Sequence, residues 1–358
     1  MRVLFWIVVV VAVLLGGVWL GGESWSAGRA MSLIDRRDDV EAAEVTPLRE
    51  LRRIGLRADR LEVQGRIGNR SATLALPWVD LWVPPLAPVE LHATLPEQAQ
   101  LMLDGSPIEM QMQGAELSMR VSPTNNLAVS RADLRTAELG LAGQPLLRSM
   151  SAQARLAAMG HDAPQAAGAA YDVALNLEGL EPATLASLGL PSLVLPGQVG
   201  LEGASRVWLN SAPGRGMLQG QRERIQPVGF RTEGMVLSIG DLQARLVGEV
   251  MIDQTGLPTG RLALYSDDGQ AWLKAASDAG MVPQAGVTFG GALLNGLSQL
   301  PMDAPPKADA PVADTPVRAG FTFPEPAEGE TRLPLFLRDG RLFLGAIPIA
   351  KLPSVPRG

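Results

Sequence analysis

From Leu56 to Leu141 apolar residues return at every second position, run after run, and this pattern restricts the fold more than any other feature of the chain. Leu61, Val63 and Ile67 alternate with polar neighbours, and so do Val79, Leu81 and Val83. Val89, Leu91, Ala93 and Leu95 follow, then Leu101 and Leu103, then Ile108, Met110 and Met112, then Leu117, Met119 and Val121. Successive side chains of a strand point to opposite faces, so period two means a sheet with one apolar and one polar face. The runs are short and close on turn residues such as Asp104-Gly105-Ser106-Pro107 and Ser122-Pro123-Thr124-Asn125-Asn126. The 39 Gly and 28 Pro of the 358 residues favour the same outcome, many strands and turns over long helices. The expected fold is mainly β: an antiparallel meander or curved sheet with a few covering helices.

A second pattern precedes it. From Val3 to Gly22 no side chain is charged and most are apolar. As a helix rising about 1.5 Å per residue, such a run matches a hydrocarbon core about 30 Å thick. Trp6 and Trp19 lie near its ends, where indole favours the membrane interface, and are the expected anchor residues. The alternative is a cleaved signal peptide, for which Ser24-Trp25-Ser26 is a poor cleavage site. Long domains translocate largely regardless of flanking charge. The expectation is therefore a single-pass protein of the bacterial inner membrane, with membrane lipids as partners of its helix and the bulk of the chain in the periplasm.

The remaining divisions follow composition. Residues 23–55 read as a juxtamembrane helical stalk, with Thr46-Pro47 as cap and first helical residue and Gly55 as stop. The arginines at 49, 52, 53, 57 and 60 invite a phosphate or lipid-headgroup reading, but Glu50, Asp59 and Glu62 interrupt them, and the pattern reads first as a solvated face. Residues 56–300 form the β-rich domain. Within it, 145–165 fit helix or strand equally, Glu181-Pro182 opens a helical turn, and two helices split by Gly280 and Pro283 are expected near 270–300. Residues 301–331 form a Pro-rich linker, and 332–351 a C-terminal hairpin turning on Asp339-Gly340.

Composition excludes several chemistries. Without cysteine there is no disulfide, thiolate metal site or Cys nucleophile. A net charge of −6 with no basic block argues against nucleic acid as a partner. His92 and His161 are the only imidazoles, too few for a three-His metal site. His92 falls on the polar face of Glu90-Leu91-His92-Ala93-Thr94, and His161 in a loop; no Gly-x-Ser-x-Gly turn, P-loop or dinucleotide glycine pattern is present. No catalytic, cofactor or metal residue is assigned, and a non-enzymatic protein is expected. A hydrolase would need one of the histidines within hydrogen-bond reach of a serine or carboxylate in a cleft. Met102, Met110, Met112 and Met119 read first as ordinary core. The other reading makes Met110, Met112 and Met119 the lining of an apolar groove that takes a lipid or another apolar ligand. A tethered scaffold that recruits an envelope protein through a sheet edge is the alternative function.

Several stretches resemble a known family. They are Thr94-Leu95-Pro96-Glu97 leading into Leu101–Gly105, Asp133-Leu134-Arg135, and Gly248-Glu249-Val250-Met251-Ile252-Asp253 with Gly256-Leu257-Pro258-Thr259-Gly260. The last runs from Leu333-Pro334-Leu335-Phe336-Leu337 through Arg338-Asp339-Gly340 to Arg341-Leu342-Phe343-Leu344-Gly345. They resemble a bacterial membrane-anchored family, domain-of-unknown-function family 2125, over nearly the whole chain. Gly65-Arg66-Ile67-Gly68 departs from that family's Gly-Phe-Pro-type turn. The resemblance implies an inner-membrane or exported β-rich protein and brings no catalytic residue with it.

Overall fold

Each alternating run becomes a strand in the computed structural model, which describes residues 39–50, 52–67, 70–189, 195–214, 225–253, 255–280, 294, 296–300, 302, 321–352 and 354. Among the described residues the strand pairing is antiparallel, and twenty strands are formed. The chain divides into two compact units. Unit 1 comprises Met1–Leu156, Asn176–Ser192 and Ala212–Arg224, and unit 2 comprises Ala157–Leu175, Leu193–Ser211 and Ile225–Gly358.

Unit 1 is built on a long hairpin. β1 (Val40–Glu41) and β2 (Glu44–Glu50) both pair with β3 (Arg53–Ile67), which pairs with β4 (Arg70–Val83) from Ile54↔Val83 to Ile67↔Arg70. The following strands are β5 (Glu90–Thr94), β6 (Gln98–Leu103), β7 (Ser106–Gln113) and β8 (Glu116–Ser122). Then come β9 (Ala128–Thr136), β10 (Glu138–Leu141), β11 (Gln144–Leu147) and β12 (Ser149–Ala157). They fork from β4. Ala72–Ala75 carries β6, continued by β7, β10 and β11, whereas Asp80–Trp82 carries β5, continued by β8, β9 and β12. One face supplies the core, including Leu56, Leu61, Val63, Leu74, Leu76, Val79, Leu81, Leu91 and Leu117, all buried.

β13 (Ala169–Leu180) runs from unit 2 into unit 1 and leads to α1 (Pro182–Ser187), with proline in the first turn as expected for Glu181-Pro182. Leu185 and Leu188, in and just after this helix, pack over two clusters of the β6 branch: Ala72, Leu101 and Leu103, and Leu141, Leu146 and Leu147.

Unit 2 is a continuous meander: β14 (Val199–Leu209), β15 (Pro227–Ile239), β16 (Leu242–Ile252) and β17 (Pro258–Ser266), then β18 (Thr331–Arg338), β19 (Arg341–Leu344) and β20 (Ile347–Lys351). α2 (Gly269–Asp278) follows β17. It is capped by Asp268, whose carboxylate accepts from the Ala271 N–H at 2.9 Å. Its Trp272 and Leu273 close a core with Ile239, Ala244, Leu294, Leu297, Leu333 and Leu344.

Three expectations need correction, and one open choice is decided. Glu44–Glu50 and the start of β3 are strands, not the end of a helical stalk. Pro47 sits in a strand that, among the described residues, pairs only with β3, where a missing N–H is tolerated. The 145–165 segment, which fits helix or strand equally by sequence, holds the end of β11 and then β12, which finds β9 as its partner; past Ala157 it leaves the sheet. The Pro-rich linker is shorter than 301–331: Met302 and Phe323 are buried with Val247, Ala263, Tyr265 and Phe336. The C-terminal hairpin turns on Asp339-Gly340 as expected, but a third strand, β20, extends it. The first of the two helices expected near 270–300 is α2; residues 294 and 296–298 are helical, and 281–293 lie outside the described residues. The span Val3–Gly22, with Trp6 and Trp19, and stalk residues 23–38 also lie outside them. Among the described residues no helix is long and apolar enough to cross a membrane.

Candidate functional site

Alternation in the β5 branch of unit 1 sends Leu81, Ala93, Leu117, Leu134 and Ala152 to one face of the sheet. Their sequence neighbours take the other face and fall into three rows. The middle row runs Trp82, His92, Ser118, Asp133, Gln153, each directly opposite the next. One flanking row is Glu90, Arg120, Arg131, Arg155, and the other Asp80, Thr94, Glu116, Arg135, Ser151. Cross-strand neighbours stand about 5 Å apart at Cβ, so each row is a line of possible contacts.

The charges mostly neutralise one another. Arg131 grips Asp133 with two hydrogen bonds, Nε to Oδ2 at 2.7 Å and Nη2 to Oδ1 at 3.0 Å, and Gln153 donates to the same carboxylate. Arg120 donates to Glu90 through Nε at 2.9 Å. The Arg131 guanidinium holds the Asp133 carboxyl below its usual range; burial opposes this, while the Gln153 amide and Arg135 add to it. Glu90, Arg120, Arg131 and Asp133, with Ser118 and Met119, line a hollow of about 240 Å³. Arg135 also lines it, and has no hydrogen bond or ion pair among the described residues.

Beside the hollow, Trp82 and His92 stack with ring centroids 4.2 Å apart and planes 11° from parallel. The Arg53 guanidinium lies 4.9 Å from the Trp82 ring centroid, and Trp82 Nε1 donates to Thr94 Oγ1 at 3.2 Å. His92 Nε2 is buried with no hydrogen-bond partner. Burial pushes the imidazole below its ordinary range, with Arg53 adding and Glu90 and Glu116 opposing.

The row brings a serine, a histidine and an aspartate together without making a triad. In a triad the imidazole stands between nucleophile and carboxylate. Here Ser118 occupies the middle, no His92–Ser118 hydrogen bond forms, and Asp133 is engaged by Arg131 and Gln153. His161 is exposed in a loop of unit 2. Among the described residues no group of three or more His, Asp or Glu is arranged to hold a metal.

Of the methionines proposed as a groove lining, Met119 borders the hollow and Met110 and Met112 do not. Met112 is buried opposite Leu139, and Met119, which also borders the hollow, is buried opposite Leu91. Met110 packs half-buried against the Leu141, Leu146 and Leu147 cluster.

Sequence reasoning missed the pair formed by Arg57 and Asp80. Arg57 donates through Nε at 2.6 Å and Nη2 at 2.7 Å to a buried Asp80, and stacks over Trp78. Hydrogen bonding to Asp80 raises the Arg57 pKa further above its usual value. A signal existed: counting outward from the pair Ile67 and Arg70 places residue 57 opposite residue 80.

A family model described as an uncharacterized protein conserved in bacteria, DUF2125, matches residues 52–323. No curated protein and no solved structure matches the chain.

Proposed function

The chain belongs to DUF2125, a family of uncharacterized bacterial proteins, and from that premise we propose that it is a membrane-tethered periplasmic protein that works by recognition, a non-enzymatic interaction module of the cell envelope. The observation that supports this reading is the hollow on the polar face of unit 1. Its charges pair off as Glu90 with Arg120 and Arg131 with Asp133, and Arg135 is left as a surplus cation. A concave, pre-organised spot with one exposed guanidinium that makes no hydrogen bond of its own suits the acidic side chain of a partner, because the fork geometry of arginine matches a carboxylate. The contact is then made by a sheet face, where the sequence alone suggested a sheet edge.

Lipid binding in an apolar groove is the second reading. It draws on the same strands, but two of its three lining residues, Met112 and Met119, are enclosed by neighbouring strands, so a bound acyl chain would have to displace core. One experiment separates the two. A photoreactive benzoylphenylalanine replaces Ser151, exposed and directly opposite Arg135, in the full chain, expressed in its bacterial host. A defined protein adduct that disappears when Ser118→Trp fills the hollow is the expected result. No adduct, together with a stoichiometric lipid retained by the full chain in native mass spectrometry, overturns the interaction reading in favour of the groove.

A further inference from the structure

The turn between β4 and β5 reads Val83-Pro84-Pro85-Leu86-Ala87-Pro88-Val89, without a single polar side chain. Leu86 at its tip is 100% exposed. Ile54, directly opposite Val83, is 41% exposed, so two of the four large exposed hydrophobics among the described residues share this end of unit 1. The tip is stiff. Three prolines restrict it, and two tight turns close it, Ala87 N–H to Pro84 O at 3.0 Å and Glu90 N–H to Ala87 O at 2.9 Å. A soluble surface gains nothing from a rigid apolar point, whereas a docking surface loses little entropy on using one.

Cations and an indole stand beside it. Arg52 is exposed, with no hydrogen bond or ion pair among the described residues. Arg53 lies over the half-buried Trp82 and is only 3.9 Å from Glu50, a weak contact. Apolar tip, flanking arginine and tryptophan is the arrangement expected at a bilayer interface, with the apolar group among acyl chains and guanidinium at anionic headgroups. We infer that this loop is a second membrane contact, docking the Leu86 tip of unit 1 onto an anionic bilayer surface.

The inference rests on the tether proposed above, and the chain length allows it. The described residues begin at Asp39, whose carbonyl accepts from Gln64 N–H at 2.8 Å near the far end of β3. From Val63 back to Ile54 is about 30 Å along the strand. Residues 23–38, between the apolar run and Asp39, reach at most about 55 Å when extended. The tip can therefore touch the membrane that holds the N-terminus.

Because the chain has no cysteine, Leu86→Cys creates a single labelling site. The full chain carrying a nitroxide there is reconstituted in vesicles of phosphatidylethanolamine and phosphatidylglycerol, and collisions with oxygen and with a water-soluble nickel chelate are compared. Met159→Cys, exposed in unit 2, is the aqueous reference. The expected result is an oxygen-to-nickel ratio at least threefold higher at 86 than at 159. That excess should be lost when phosphatidylcholine replaces the anionic lipid or when Arg52→Glu and Arg53→Glu are combined. Equal ratios on vesicles that carry the protein through a flotation gradient overturn the docking loop and leave the tether standing. A full chain that does not float overturns the tether and the loop with it.

Discussion

A histidine pressed flat against a tryptophan, with one ring nitrogen sealed from water and given no partner, can hold a proton only at a cost. The folded pKa of His92 therefore lies below its unfolded value of about 6.5. Between those two values the unfolded chain binds more protons, so stability falls as pH drops below about 6.5 and levels off beneath the folded pKa. Replacing His92 by Phe keeps a ring on Trp82 and removes the titration. The difference between urea midpoints at pH 7.5 and pH 5.0 should shrink in H92F, and an unchanged difference would assign the pH response to another group. Asp133 does not confuse the comparison. Its pKa is depressed, so its contribution is complete above about pH 4 and is lost only as pH falls further. Some of this was readable in the sequence and some was not. The Arg57–Asp80 pair follows from counting outward from a hairpin turn, but His92 meets Ser118 only because β5 pairs with a strand that follows an intervening hairpin. No local pattern encodes that register.

Among the elements, β16 and β17 approach each other more closely than side chains allow. Gly248 has φ of +146° and stands opposite Leu262, and a Cβ there would lie 2.2 Å from the Arg261 carbonyl oxygen. Gly248→Val should destabilise unit 2 by at least about 2 kcal/mol, because both the backbone conformation and the space exclude a branched side chain. Gly105, in an open turn with φ of +83°, is the contrast: nothing lies within 4 Å of its Cβ position, and Gly105→Asn should change stability little. Chemical denaturation of the two variants measures both. The strands themselves were legible wherever apolar residues alternate between turns, and Asp339-Gly340 marked its hairpin plainly. Glu44–Glu50 was not, since Thr-Pro looks the same at a helix start as in a strand with one neighbour.

For the molecule as a whole, the linear reading anticipated strands pairing in the order they occur. That holds for unit 2 from β14 to β20 but fails in unit 1, where the chain forks. Long-range pairing depends on which polar backbone edge is free when a strand returns, and a one-dimensional pattern carries no record of that. The fork has a consequence for motion. β4 supports β6 along Ala72–Ala75 and β5 along Asp80–Trp82, while its other edge is held by β3 over its whole length. Neither branch can detach from β4 alone without stranding the buried Leu74 or Leu81 against water. In heavy water the amides of Thr73–Ala75 and Asp80–Trp82 should therefore take up deuterium at one common rate, set by opening of unit 1 as a whole. The amides of α1 and β20, held on fewer sides, should exchange sooner. Two distinct rates within β4 would mean that the branches breathe independently. A single rate makes β4 the keel of unit 1, the strand on which every other part of that unit waits before it can come loose.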